Sequence, residues 1–359
     1  MNQINKTQQY FHTVHNEHSP SVAAIDLGTN SCRLLVARVN IAGLQPNYFR
    51  SKPKQKIWKV VDSLAKIVRL GEGLHEEQFL THDAIERALE ALSLCRQKLD
   101  YHHVKIVRAV ATEACRRATN TPLLIERAKN ELNLDVEVIS ASEEARLAIN
   151  GCIAVINPNI PYALIFDIGG GSTEVAWISV GKEKSRRSFN QVNFNVIASI
   201  SLPYGVVTLS QRYKNDLYTV DTFHHISKMI TEELNMFFVC NGIDAFIQDN
   251  QVQLIGTSGT VTTLAAMVLN LKRYEKTAID GSLFDVLDLE QASYDIFKMN
   301  TAERNAHPCI GNDRTDLVIT GSAILKGIYD RCQISQLKVA DRGVREGIIL
   351  DLVKKVMKG

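Results

Sequence analysis

No stretch of this chain approaches the ~18 consecutive apolar residues that a membrane-spanning helix needs. Nor do its first twenty residues hold the apolar core of a signal peptide. Both absences predict a cytoplasmic protein without a membrane partner. The seven cysteines (Cys32, Cys95, Cys115, Cys152, Cys240, Cys309 and Cys332) are scattered, odd in number and free of any C-x-x-C pair. That argues against a disulfide framework or a zinc ribbon and for a reducing compartment. The histidines form no H-E-x-x-H. His12, His15 and His18 fall in a Gln/Asn-rich leader, 1–20, that is expected to be disordered and to bind no metal. An excess of one charge is missing too: the net charge is +2, which makes no case for a specific nucleic-acid partner. The basic runs are local, at Lys52, Lys54, Lys56 and Lys59 and across 182–187. They read as solvated loops or as a rim that attracts a polyanion.

What is present points to two domains. A length of 359 residues is about two units at ~150 residues each, and 45% hydrophobic with 22% charged residues is an ordinary globular composition. Residues 164–178 read LIFDIGGGSTEVAWI: an apolar strand, an aspartate, a glycine turn, then an alternating second strand. Gly169, Gly170 and Gly171 allow a tight turn with close approach to the main chain, and successive amides in such a turn can hold an anion. Asp167 beside them offers the hard oxygen that a divalent cation prefers. A plain hairpin turn explains this stretch as well when it is taken alone. Residues 22–37, VAAIDLGTNSCRLLVA, repeat the pattern, with Asp26 matching Asp167 and Gly28 matching Gly169. Two such units suggest two half-domains whose turns face each other across a phosphate site.

Further strands are expected near 59–69, 103–111, 136–139, 192–203 and 252–255, and helices over 81–99, 222–240 and 344–357. Thr121-Pro122 predicts a helix start with Thr121 as the hydroxyl cap and proline at the first position. In SASEEARLAINGCIAV, 140–155, Ser140 and Glu143 fit a capping box, with Glu143 reaching back to the cap. Glu144 then lies ~100° round the helix and is free, either for chemistry or as a surface glutamate favoured by the helix dipole. The turn GTSGT, 256–260, precedes an apolar helix, which makes an anion site of its amides. No lysine follows it, so it is not the G-x-x-x-x-G-K-[ST] nucleotide loop.

These segments resemble a known family. AIDLGTNSCRL (24–34), ATEACRRATN (111–120), ISASEEARL (139–147), FDIGGGSTE (166–174), SLPYGVVTL (201–209), GTSGTVTTLAA (256–266) and DRGVREGIILDL (341–352) occur in the order of the exopolyphosphatase / guanosine pentaphosphate phosphatase family, of the sugar kinase–heat-shock protein–actin superfamily. The resemblance runs from about Val22 to the C-terminus. It implies an α/β fold of two ribonuclease-H-like (actin-like ATPase) domains with the active site in the cleft between them. The first would be 21–148, with the C-terminal helix 341–359 packing back on it, and the second 149–340. It further implies a hydrolase that releases terminal phosphate from polyphosphate with Mg²⁺ (or Mn²⁺), or a guanosine pentaphosphate phosphohydrolase. A kinase or ATPase, or a non-catalytic alarmone-binding regulator, ranks below these.

Carried over by position, Glu144 matches the catalytic base, and Asp26, Asp167 and Glu174 match the acidic magnesium-associated positions. Gly28, Asn30, Ser31, Thr112, Arg116, Gly169, Gly170, Gly171, Ser172, Ser258, Gly259 and Thr260 match phosphate-contacting positions. Partners implied are polyphosphate or guanosine penta- and tetraphosphate, with room for a homodimer. The chain departs from the family's pattern at Thr29, at Glu113 and over 307–325. Longer members carry a C-terminal helical domain of the HD type, and a chain without it is expected to grip long polymers less.

Overall fold

The structure, a computed structural model, describes residues 19–40, 57–74, 78–181, 193–214, 216–310 and 315–357. The expected disordered leader up to residue 18, Lys52, Lys54 and Lys56, and the run 182–187 lie outside them. Two mixed sheets carry the fold. The first has the order β3-β2-β1-β4-β5, from β1 (Ser21–Leu27), β2 (Ser31–Val39), β3 (Trp58–Ile67), β4 (Ile106–Ala111) and β5 (Val136–Val138). The second has the order β10-β11-β9-β6-β7-β8. Its strands are β6 (Tyr162–Ile168), β7 (Thr173–Gly181), β8 (Asn193–Leu202), β9 (Val252–Thr257), β10 (Leu283–Asp285) and β11 (Gln336–Ala340). In each, three antiparallel strands lead to strands that run parallel to the first. The sequence repeat is therefore a repeat of topology, with β10 added at one edge.

The first strand of each half is apolar on both faces because each sheet is covered on both sides. Ala23, Ile25 and Leu27 of β1 pack with Ala84, Ala88 and Leu92 of α1 (His82–Tyr101). Thr81 caps that helix, accepting from the Ala84 amide at 3.2 Å. Leu164, Phe166 and Ile168 of β6 meet a larger cluster with residues of α6 (Val220–Asn241), α7 (Gly259–Val268), α8 (Val286–Lys298) and α9 (Thr315–Cys332). Ahead of these in the chain come α2 (Glu113–Arg117), α3 (Thr121–Leu132), α4 (Ala141–Cys152) and α5 (Val206–Arg212); α10 (Val344–Val356) closes it.

One expected cap is corrected. The residue at the N-cap of α3 is Asn120, not Thr121, and no side chain caps it. The Thr121 hydroxyl instead donates to the buried Cys115 carbonyl at 2.7 Å, while Asn120 ties both the amide and the carbonyl of Leu80. Tertiary acceptors out-compete the local cap here.

The remaining sheet faces are covered by an exchange. Helix α4 follows the first sheet, yet its Ile149 and Cys152 pack with Ala163, Ile165, Ala176 and Ile178 of the second. Helix α10 follows the second sheet, and its Ile348, Ile349, Leu352 and Val353 pack with Val22, Ala24, Leu35 and Ala37 of the first. The two helices must cross, and they do so with their backbones touching. A Cβ on Gly151 would overlap the Gly343 carbonyl, and one on Gly347 would overlap the Leu147 carbonyl. The crossing also carries an ion pair, Arg146 to Asp351 at 2.7 Å.

Alanine in a helix interior normally stabilises relative to glycine by up to ~1 kcal/mol. Gly151→Ala and Gly347→Ala should do the opposite, each costing about 2 kcal/mol or more through overpacking against backbone. Gly181→Ala, where a Cβ meets its nearest neighbour at an ordinary 3.5 Å, should stay within ~0.5 kcal/mol. Urea unfolding of the three variants checks this, and equal midpoints would remove the close crossing.

Candidate active site

The two glycine turns face each other across a cleft of about 130 Å³. They are built alike: the Gly28 amide donates to the Ser31 carbonyl at 3.0 Å, and the Gly169 amide to the Ser172 carbonyl at 2.9 Å. Each is held from behind. Asn30 O accepts from the amides of Val68 and Arg69, and Thr29 O from that of Gly71. The start of α5 fixes the second turn, Val206 N donating to Gly169 O at 3.0 Å and Val207 N to Gly170 O at 2.8 Å. The turns nearly touch, since a Cβ on Gly170 would sit 3.0 Å from Thr29 Cβ and 3.1 Å from Asn30 N. Only a residue without a side chain permits this approach.

Two more segments enter at strand ends. Thr112 follows β4 and opens the short helix α2. Ser258 follows β9 and caps α7, its hydroxyl accepting from Val261 N at 3.1 Å. Thr260 is buried against Gly321 of α9, where any Cβ would overlap its side chain. Leu317 and Val318, also of α9, form part of the cleft wall with Val206 and Val344. These two belong to the divergent segment 307–325, of which residues 311–314 lie outside the described set.

Of the carboxyl groups singled out from the sequence, Asp26, Asp167 and Glu144 line the cleft and Glu174 stands behind it. Asp26 ends β1 opposite Arg33, and Asp167 ends β6 opposite Glu174. Glu144 stands in the first turn of α4. Burial pushes the Asp26 carboxyl up, with Arg33 opposing. Burial and then Glu144 push Asp167 up to about 7. Burial raises Glu174 to about 7, while hydrogen bonds from Ser172 and Ser201 hold it down; the Ser201 hydroxyl donates at 2.9 Å. Burial and then Glu174 push Glu144 up to about 8 against the pull of Arg116. The cause is shared: the groups lose water together and repel one another, with too few cations to balance them.

Every residue singled out from the sequence as a site residue lines the cleft except Arg116 and Glu174. Glu174 is buried behind it, 4% exposed. Arg116 also stands behind, bound to two cleft residues: its Nη2 donates to Glu113 at 2.7 Å and its Nη1 to Glu144 at 2.7 Å. The capping box is half right. Ser140 accepts from Glu143 N at 3.2 Å, but the Glu143 carboxylate turns away to Arg146 at 2.7 Å and Arg108 at 2.9 Å. Two guanidinium groups offer it stronger, charge-assisted bonds than the backbone cap does. Glu144, not Glu143, faces the cleft.

Sequence reasoning missed Arg33, which lines the cleft and lowers both aspartates. The repeat held the signal, because Arg33 follows Asp26 at the interval at which Glu174 follows Asp167. Among the described residues, no three His, Cys, Asp or Glu side chains form a metal cage of their own. The set suits a cation of another habit. Mg²⁺ takes one or two carboxylates and completes its shell with water and substrate phosphates; Asp26 and Asp167 could supply those carboxylates, and a bound cation would hold them ionised against the burial that raises their pKa values.

The sequence pattern of the Ppx/GppA phosphatase family matches residues 50–356. Exopolyphosphatase 2 of Mycobacterium tuberculosis is 28% identical over 345 residues, spanning 92% of this chain and 98% of its own. A guanosine-5'-triphosphate,3'-diphosphate pyrophosphatase of Photobacterium profundum is 28% identical over 356 residues, spanning 95% of this chain and 61% of its own. Among solved structures, an exopolyphosphatase from Cytophaga hutchinsonii aligns with a TM-score of 0.76 at 25% identity, over 93% of this chain and 98% of its own. An Aquifex aeolicus member of the Ppx/GppA family aligns at 0.70 and 27% identity, over 94% and 98%. The architecture is the two-domain, actin-like α/β fold that the motifs imply.

The Glu143 cluster yields a stability prediction. Arg146, then Arg108, hold the Glu143 carboxyl down to about 2, below the ~4.3 of an unfolded chain. Its contribution is therefore complete above about pH 5 and is lost as pH falls from there towards 2. Solvent screening of the partly exposed cluster limits it to about 1 kcal/mol. Glu143→Gln should be less stable by that amount at pH 7 and by under half of it at pH 3. Denaturation at the two pH values checks this, and a pH-independent difference would contradict it.

Proposed function

The chain belongs to the Ppx/GppA phosphatase family, and from that membership we propose that it hydrolyses terminal phosphoanhydride bonds, removing orthophosphate from the end of inorganic polyphosphate. The observation that carries this is the pairing of two amide-lined turns from opposite halves over a floor of uncompensated carboxylates. Phosphoryl transfer asks a protein for positioning and charge neutralisation, with an oriented nucleophile and little covalent work. The turns at 28–31 and 169–172 would cradle the phosphates, with Thr112 and the 258–260 turn gripping further oxygens. Glu144 would orient water and take its proton, and Arg116, bound to that carboxylate at 2.7 Å, would keep it aimed. Asp26 and Asp167, with Glu174 behind, would hold Mg²⁺ or Mn²⁺, which when bound neutralises charge on the transferring phosphoryl group.

The second reading, a guanosine pentaphosphate 5′-phosphohydrolase, draws on the name of the Photobacterium relative. No aromatic side chain lines the cleft among the described residues, so a base would find no stacking platform there, and this favours polyphosphate. Among the described residues no helix is long and apolar enough to cross a membrane, which agrees with the cytoplasmic location we assign.

Phosphate release from polyphosphate, guanosine pentaphosphate and ATP, with and without Mg²⁺, tests the proposal. Polyphosphate should turn over fastest and chelator should abolish release; fastest release from ATP would sink the reading. Glu144→Gln should lower turnover by about 10²- to 10⁴-fold, the usual weight of a general base, with an unchanged circular-dichroism spectrum. Asp167→Asn should raise the Mg²⁺ needed for half-maximal rate by about tenfold or more, which a metal titration reads directly.

A further inference from the structure

The residues of ATEACRRATN do more than supply a phosphate ligand. All three guanidinium nitrogens of Arg116 donate to protein groups. One terminal nitrogen, Nη1, donates to Glu144 at 2.7 Å and to the Ile139 carbonyl at 3.0 Å. The opposite edge, Nε and Nη2, donates to a single oxygen of Glu113 at 3.0 and 2.7 Å. That edge is the fork that grips a phosphate through two parallel bonds. Glu113 also lines the cleft, and its side chain lies against the bare backbone of the facing turn, where a Cβ on Gly171 would come within 2.8 Å of Glu113 Cγ. Glu113, Arg116 and Glu144 are 15%, 17% and 14% exposed, so water competes little for these bonds.

We propose that Glu113 sets the substrate affinity of this site: in the free protein it holds the edge of Arg116 that a phosphate group takes on binding, and the phosphate displaces it. This rests on the phosphate-cleft reading above. Because Nη1 serves Glu144 and Ile139 independently, the exchange on the other edge leaves the base aimed throughout. Glu113 is a carboxylate of the same charge sign and fork geometry as the group it yields to, so the guanidinium is never left bare and buried. The consequence is a weaker grip than the arginine could give, and with it easier release of product phosphate.

The alternative explanation is bulk charge: any carboxylate near the cleft would repel an anion. A double-mutant cycle separates the two. Binding of imidotriphosphate, a tripolyphosphate analogue whose P–N–P links resist hydrolysis, is measured with Mg²⁺ by titration calorimetry on wild type, Glu113→Gln, Arg116→Ala and the double variant, each checked for folding by thermal unfolding. Freed of a charge-assisted competitor, Glu113→Gln should bind about tenfold more tightly than wild type. In the Arg116→Ala background the same change should matter less than about threefold. Equal gains in both backgrounds would assign the effect to bulk charge and overturn the proposal. Weaker binding by Glu113→Gln would do so too, by making Glu113 a support for Arg116 rather than a competitor. Imidotriphosphate that binds none of the four proteins would overturn the phosphate-cleft reading itself, and the Glu113 inference with it.

Discussion

The backbone contact between α4 and α10 is the constraint on which the site depends. Each helix belongs in chain order to one half and packs on the sheet of the other, so the halves cannot move apart without uncovering both sheets. Gly151 and Gly347 set the distance of that crossing, since neither tolerates a Cβ. The same helices carry the chemistry. Glu144 lies in the first turn of α4, and Gly343, just before α10, lies beside Thr257 and Asp167. Packing that joins the halves thus also fixes where Glu144, the proposed base, stands relative to Asp167, the proposed metal ligand. A shift of ~1 Å there costs catalysis heavily, because positioning is most of what phosphoryl transfer needs.

Against this packing stands an electrostatic cost. Asp26, Glu144, Asp167 and Glu174 are all driven up by burial, and three of the four by each other's charge as well, with Arg33 and Arg116 opposing. No stability argument explains such an assembly, since burying like charges is unfavourable. It makes sense as a place prepared for positive charge. A polyphosphate chain alone would be repelled from this floor, whereas the chain together with Mg²⁺ satisfies both the carboxylates below and the amides on either side. The proposed metal dependence would on this view follow from the protein's charge distribution before it followed from the reaction.

Much of this was legible in the sequence because it is local. The two Asp-x-Gly turns and the turn at 256–260 each depend on residues within about ten positions of one another, and period and turn chemistry report such features; the repeat shows once two such local patterns are compared. Apart from Arg33, which the sequence reading missed, the corrections concern the choice of a partner. Glu143 was free to cap its own helix but found Arg108 and Arg146. Thr121 was placed to cap but met the Cys115 carbonyl. In each case the local option was real, and a group brought by the fold offered a better bond. Pattern reveals which residues are able to act; only tertiary structure selects whom they act on.

The broken symmetry of the repeat carries the last step. The two halves share the aspartate, the turn and the parallel strand beside it, yet seven residues past the aspartate one has Arg33 and the other Glu174. After that parallel strand the first half offers Thr112, a helix of one turn and the charged side chains of Glu113 and Arg116. The second offers Ser258 and the amide end of a ten-residue helix. One half therefore brings side-chain charge and the other the dipole of a helix end, which would suit a site whose two ends do different things. A symmetric cradle would hold a phosphate chain equally well in both directions. A cradle with Glu113 and Arg116 on one side and the amide end of α7 on the other would distinguish the two directions in which such a chain could lie.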